Sequence, residues 1–140
     1  MISLASALMV ASAGIIFMLG TAHLLYTFHG TKLHPRDSAL QARMREVSPV
    51  ITRETSMWKA WIGFNATHSC SAILFGLVWG YFALVHPYFL FNSRFLLGLG
   101  LVFLAFYVFL GKVYFFSIPF RGIVLASLLY VAAIGVDWAY

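Results

Sequence analysis

Charged residues are scarce in this chain of 140 residues: only 9% are Asp, Glu, Lys or Arg, whereas 62% are hydrophobic. A soluble domain carries about 25% charged residues, so this composition excludes a water-soluble fold with an ordinary polar surface. Acidic residues are scarcest, with four against nine basic ones. The basic residues lie between apolar blocks and not on a polar face, so we expect no nucleic-acid partner.

The sequence also lacks the motifs of hydrolytic and redox chemistry. Its single cysteine, Cys70, excludes an intramolecular disulfide. No H-E-x-x-H or C-x-x-C motif occurs, and no carboxylate falls in the cytoplasmic half of an expected helix, so we predict no metal site. His68 and Cys70 point about 200° apart on a helix and cannot form a nucleophile–base pair. Whether the protein is an enzyme stays open.

Long apolar runs are what the sequence has in abundance. A transmembrane helix needs about 20 mainly apolar residues. Pro87 and Pro119 are predicted to separate the second helix from the third and the third from the fourth. We therefore predict an all-α fold, an integral membrane bundle of four transmembrane helices that forms a single domain over residues 1–140. The four helices are expected at residues 2–28, 57–85, 95–116 and 120–138.

The polar segment 29–56 separates the first two helices. Within it Leu40, Met44 and Val47 recur at i, i+4 and i+7, which predicts a short amphipathic helix at the cytoplasmic membrane surface.

Two further patterns in this segment predict helix starts. Ser38 and Gln41 match a capping box for the amphipathic helix. Ser48 and Pro49 are predicted to be the N-cap and first residue of the second transmembrane helix, which would then begin in water.

Basic residues are divided unequally between the two ends of the expected helices. Only Arg94 falls on one side, and the positive-inside rule assigns the other side to the cytoplasm. We therefore expect both termini on the non-cytoplasmic side of the membrane. The cytoplasmic set is Lys32, Arg36, Arg43, Arg45, Arg53, Lys59, Lys112 and Arg121.

Polar side chains within membrane helices are costly and therefore mark candidate sites. Trp61, Asn65 and His68 follow i, i+4, i+7 spacing and share one helix face. With His23 and Lys112, Asn65 and His68 are the predicted cofactor-binding residues of a cytoplasm-facing pocket. The alternative interpretation is that these groups form interhelical hydrogen bonds that stabilise the bundle, and that Lys112 only extends to the lipid headgroups.

Haem ligation by the two helical histidines depends on their depth. Counted along the helices, His23 lies about 8 Å nearer the cytoplasmic surface than His68, so a bis-histidine haem would require helix tilt. A haem with one histidine ligand remains open. Asp137, the sole acid near a helix core, is too isolated for a proton relay. Gly76 and Gly80 form a G-x-x-x-G pattern, which is typical of close helix contacts.

The segments Gly20-Thr-Ala-His23 and Trp61-Ile-Gly-Phe-Asn-Ala-Thr-His-Ser69 together resemble a family of small bacterial four-helix membrane proteins with no assigned activity. DoxX-like proteins share the chain length and helix count. The resemblance covers nearly the whole chain and implies the fold and a bacterial cytoplasmic membrane. The membrane-associated glutathione transferase and eicosanoid family carries Asn-x-x-Glu on its second helix; Asn65-Ala-Thr-His68 lacks that glutamate, which argues against glutathione chemistry.

Two functions follow as hypotheses. The first is a non-catalytic accessory or stabilising subunit of a larger membrane complex, with other membrane subunits or further copies of the chain as partners. The second is a binding protein or enzyme for a membrane-soluble small molecule, namely a lipid, a quinone or a haem, held by the predicted polar pocket.

Overall fold

The protein is described by a computed structural model over residues 2–139, and these residues contain helices and no strand. Four of the helices are long and apolar enough to cross a membrane. The all-α fold with four candidate membrane spans is thereby confirmed, and it is the architecture of an integral membrane protein. The helices are α1 (Leu4–Phe28), α2 (Ser38–Glu46), α3 (Met57–Val85), α4 (Pro87–Asn92), α5 (Arg94–Tyr114) and α6 (Ser117–Ala139).

The predicted bounds of the four membrane-crossing segments agree with the structure to within one helical turn. The two prolines act differently from the prediction. Pro87 ends α3 as expected, and it also begins the unpredicted short helix α4. Pro119 does not separate α5 from α6; the break falls at residues 115 and 116, and Pro119 lies in the first turn of α6. A proline is tolerated there because the first N–H groups of a helix have no intrahelical acceptor.

The amphipathic helix exists as α2, but its predicted capping box is wrong. The N-cap is Asp37, whose carboxylate accepts hydrogen bonds from the backbone N–H groups of Ala39 and Leu40. An ionised carboxylate is a strong acceptor at this position, and it places Ser38 inside the helix. The Gln41 side chain bonds instead to Nδ1 of His34, at 3.1 Å.

The predicted start of the second transmembrane helix at Ser48 and Pro49 is also wrong. The Pro49 carbonyl accepts a hydrogen bond from the Thr52 N–H in a turn, and α3 begins only at Met57. Its first turn is capped by Ser56, whose hydroxyl accepts from the Lys59 N–H. Proline at the start of a turn competes with its use at the start of a helix, because both fix the same φ.

The described chain divides into two compact units. Unit 1 comprises residues 2–19 and 72–139, and unit 2 comprises Gly20–Ser71. Unit 1 contains α4, α5, α6 and parts of α1 and α3. Unit 2 contains the remaining parts of α1 and α3 together with α2 and its flanking segments.

An aromatic stack fills the core of unit 1. The ring of Phe75 on α3 lies 4.5 Å from Trp79 and 4.7 Å from Phe103 on α5, measured between centroids, and Phe103 stacks on Tyr107 at 4.4 Å. Aromatic rings bury a large area with few rotatable bonds, so such a stack fixes the helix positions firmly.

Three buried hydrogen bonds join the helices of unit 1. The Ser12 hydroxyl on α1 donates to the Ala126 carbonyl on α6 at 2.7 Å. The Trp79 indole N–H donates to the Tyr130 hydroxyl at 2.9 Å, and that hydroxyl donates in turn to the Leu97 carbonyl at 3.1 Å. A Cβ at Gly100 would clash with the Tyr130 hydroxyl, so only glycine leaves room for it.

The glycine pattern on α3 has a packing role within unit 1. A Cβ added at Gly76 would lie 2.5 Å from the Phe17 Cβ and 2.8 Å from the Ala13 carbonyl oxygen of α1, whereas one at Gly80 would meet Ala13 at an ordinary 3.7 Å. The close helix contact is therefore made within the chain and at Gly76.

Candidate functional site

His23 and Asn65, two of the predicted site residues, contact each other in unit 2. The His23 Nε2 lies 2.9 Å from the Asn65 Oδ1. His23 lies near the C-terminal end of α1 and Asn65 in the first half of α3, so this bond links two apolar helices. Both side chains are half-buried.

The Asn65 amide also fixes which atom of His23 carries a proton. Its Nδ2 donates to the Trp61 carbonyl at 2.8 Å, and a carbonyl only accepts. The Oδ1 must therefore be the atom that faces His23, so His23 Nε2 must be protonated and donate. Both ends of the amide are thus satisfied within the protein.

His68 completes the cluster. Its ring lies edge-on to that of His23, with centroids 5.4 Å apart and planes at 79°. The predicted depth difference of about 8 Å between the two histidines is therefore wrong. Side chains tilt toward the N-terminus of their own helix. Since His23 is near the end of α1 and His68 is well inside α3, both tilts reduce the separation obtained by counting residues.

Hydroxyl groups bond to the backbone at all three cluster residues. Thr27 donates to the His23 carbonyl at 2.8 Å, Ser69 to the Asn65 carbonyl at 2.8 Å, and Ser71 to the His68 carbonyl at 2.7 Å. Such bonds hide hydroxyls from an apolar environment and bend helices slightly. The hydroxyls are thereby engaged with the backbone and lie around the cluster as structural groups.

The segment between α1 and α3 is held against the start of α3 by two tryptophans. The Trp61 indole N–H donates to the Leu33 carbonyl at 3.1 Å. The Trp58 ring is perpendicular to that of His34, with centroids 4.9 Å apart, and the Arg45 guanidinium lies 5.4 Å from the Trp58 ring centroid. Trp61 therefore connects this segment to Asn65, because the Asn65 amide donates a hydrogen bond to the Trp61 carbonyl.

Lys112, the fourth predicted site residue, belongs to unit 1. It lies in the last turn of α5, is exposed, and places its ammonium 5.7 Å from the ring centroid of Phe120. The residues that the structure brings together are therefore His23, Asn65 and His68.

The cluster offers two imidazoles and an amide, which are hydrogen-bonding groups for a carbonyl or phosphate oxygen. In the described part of the chain, no three His, Cys, Asp or Glu side chains are grouped so as to hold a metal ion. The two rings contact each other directly, so a haem placed here would be limited to one histidine ligand.

Sequence reasoning missed a pocket in unit 1. Its volume is about 740 Å³, within the range of small-molecule sites. It brings together Arg94 and Asp137, two charges that are 43 positions apart and that the sequence treated separately. The signal available was that each is the lone charge near one end of an apolar helix. The lining residues are Phe91, Asn92, Arg94, Leu97, Gly98, Leu101, Ile134, Asp137 and Trp138.

No protein-family model matches the sequence, and neither a curated protein nor a solved structure matches it. The class of the protein, an integral membrane protein with four candidate spans, therefore rests on the composition and on the helices themselves.

Proposed function

We propose that the protein is a non-catalytic accessory or stabilising subunit of a larger membrane complex, bound to partner helices through faces of small residues. The observation that supports this proposal is an exposed face of small residues on α1. Ala7, Ala11 and Gly14 share one face by their i, i+4, i+7 spacing. The two alanines are exposed, and a Cβ added at Gly14 would have no neighbour within 4 Å.

A second face of the same kind lies on α6. Ala132, Gly135 and Ala139 share one side of the helix and are all exposed, and the space beyond Gly135 is open. Lipid tails cover large apolar side chains as well as a protein does, so exposed leucines and phenylalanines do not indicate a partner. Small residues differ, because they allow two helix backbones to approach closely.

The proposal includes a location in the bacterial cytoplasmic membrane with both termini outside the cytoplasm. The supporting observation is the unequal distribution of Lys and Arg. The family resemblance supports the bacterial assignment.

Native mass spectrometry of the protein, released gently from its own membranes, tests the accessory role. We expect a mass that includes other polypeptides. Ala11→Leu and Gly135→Leu should each reduce the fraction of the chain that retains other polypeptides, because a larger side chain separates the helix backbones. Ala105→Leu is the matched control, since Ala105 is exposed but lies between the large exposed residues Leu101 and Phe109.

A mass of this chain alone, or of copies of this chain only, would contradict the accessory role. If Gly135→Leu and Ala105→Leu retain equal amounts of the partner polypeptides, the small-residue faces are not the surface that binds them, even if a complex exists.

A second function is favoured by the contact between His23 and His68. We propose that the cluster of His23, His68 and Asn65 binds a membrane-soluble small molecule, a lipid, a quinone or a haem. An imidazole N–H is a suitable donor to a quinone carbonyl or a lipid phosphate. An enzyme acting on such a molecule would be the catalytic version of the same site.

Extraction of the small molecules retained by the purified chain tests this second function. His68→Ala and Asn65→Ala should lower the amount of the retained molecule per chain. His29→Ala is the control, because His29 is exposed and lies just beyond the end of α1. Full occupancy in both site variants would exclude the cluster as a binding site.

A further inference from the structure

The pocket of unit 1 is lined by two opposite charges that do not form an ion pair with each other. Arg94 and Asp137 both line it. Among residues 2–139, neither has an ion-pair partner within 4.0 Å. Arg94 is exposed and Asp137 is partly exposed. A simple anion would be attracted by one group and repelled by the other, and a simple cation likewise.

The helix dipoles leave each of these two charges next to a partial charge of the same sign. Arg94 is the first residue of α5, where the helix dipole is positive, and Asp137 lies in the last turn of α6, where it is negative. Each side chain therefore has the same sign as the helix end that carries it. A ligand with an anionic and a cationic group would compensate both charges and both dipoles at once.

The chemistry of the two side chains indicates which chemical groups the ligand carries. A guanidinium has the planar fork of donors that matches phosphate oxygens. A carboxylate accepts hydrogen bonds from an ammonium group. Asn92 adds an amide to the same wall. The complementary ligand thus bears a phosphate near Arg94 and an ammonium near Asp137.

The rest of the wall is suited to a molecule that is partly hydrocarbon. Leu97 and Ile134 are buried apolar residues of the wall, and Leu101 is an exposed one. Trp138, 76% exposed at the end of α6, has the amphipathic ring that favours the membrane–water boundary. A volume of about 740 Å³ accommodates a headgroup and the adjoining part of an acyl chain.

We propose that this pocket binds the headgroup of a zwitterionic phospholipid that carries a phosphate and a primary ammonium, with Arg94 on the phosphate and Asp137 on the ammonium. The lipid would then be a bound component of the protein, at the end of unit 1 formed by α4, the start of α5 and the end of α6. This site is independent of the proposed accessory role.

The test is native mass spectrometry of the purified full chain, titrated separately with phosphatidylethanolamine and with phosphatidylglycerol. We expect the wild type to prefer the ethanolamine lipid. Arg94→Gln should weaken binding of both lipids by about tenfold or more, the loss of one charge-assisted hydrogen bond. Asp137→Asn should weaken the binding of phosphatidylethanolamine by about tenfold and leave the binding of phosphatidylglycerol unchanged, because phosphatidylglycerol carries no ammonium.

Arg121→Gln is the matched control, since it removes an exposed cation near the start of α6, outside the pocket. All variants are compared with the wild type by circular dichroism, so that lost binding is not confused with unfolding. An ethanolamine preference that survives Asp137→Asn would overturn the proposal. So would displacement of the lipid by an equal concentration of soluble phosphoethanolamine, which would assign the pocket to a free zwitterion.

Discussion

Replacing Tyr130 by phenylalanine tests the hydrogen bonds that hold the core of unit 1. The Tyr130 hydroxyl accepts from the Trp79 indole at 2.9 Å and donates to the Leu97 carbonyl at 3.1 Å. Tyr130 is 0% and Trp79 7% exposed, so the indole N–H would have no water to replace its acceptor. Interhelical hydrogen bonds in membranes contribute between about 0.6 and 2 kcal/mol, and we expect Tyr130→Phe to lower the free energy of unfolding by that amount.

The assay is reversible unfolding in mixed micelles of increasing denaturing-detergent content, followed by far-ultraviolet circular dichroism. Tyr114→Phe is the control, because it removes the same hydroxyl from a residue that is 72% exposed. Adding Trp79→Phe to each variant completes a double-mutant cycle, and the two core substitutions should be non-additive. If Tyr130→Phe unfolds at the same detergent content as Tyr114→Phe, the hydrogen-bonded core does not stabilise unit 1 as argued.

Two other predictions follow from the same structure. Gly76→Ala should lower the free energy of unfolding by about 1–3 kcal/mol, because the added Cβ meets the backbone of α1. Gly80→Ala should leave the free energy of unfolding unchanged or raise it by up to about 1 kcal/mol, because alanine has the higher helix propensity. Equal effects of the two substitutions in the micelle assay would contradict this difference. In a Cys70→Ser background, a membrane-impermeant maleimide added to intact cells should label His86→Cys and not His29→Cys; the reverse pattern would invert the proposed orientation.

The fold was predictable because hydropathy and length decide membrane helices almost alone. The four long helices needed only runs of about 20 apolar residues. The errors lie where local alternatives compete. At Ser48 and Pro49 a turn formed in place of a helix start, and Asp37 capped α2 in place of Ser38. Pairwise spacing in the sequence matches both outcomes equally, so it could not choose between them.

The candidate sites were predictable in part, for a related reason. The i, i+4, i+7 spacing placed Asn65 and His68 on one face of α3, and the cost of polar groups in a membrane indicated that His23 would join them. The pocket with Arg94 and Asp137 depends on α6 returning to the start of α5, and on a short helix that sequence periodicity did not indicate. Contacts between residues far apart in sequence carry no local signal, so only the structure brought these two charges together.

Whether the histidine cluster is structural or binds a ligand can be decided by removing both partners of one hydrogen bond. Asn65→Leu alone leaves the His23 Nε2–H without its acceptor, which should destabilise the protein by about 1–3 kcal/mol. His23→Leu combined with Asn65→Leu replaces both polar groups by apolar ones, and stability should return largely to that of the wild type.

A structural cluster predicts that this double variant is stable and keeps every small molecule that the wild type retains. A binding site predicts a double variant that is equally stable but has lost its ligand. A ligand that bonds to Asn65 would share the amide with His23 and the Trp61 carbonyl, each of which takes only one of its hydrogen-bonding positions. The double variant is therefore stable under both interpretations, and only its retention of the small molecule distinguishes a structural cluster from a binding site.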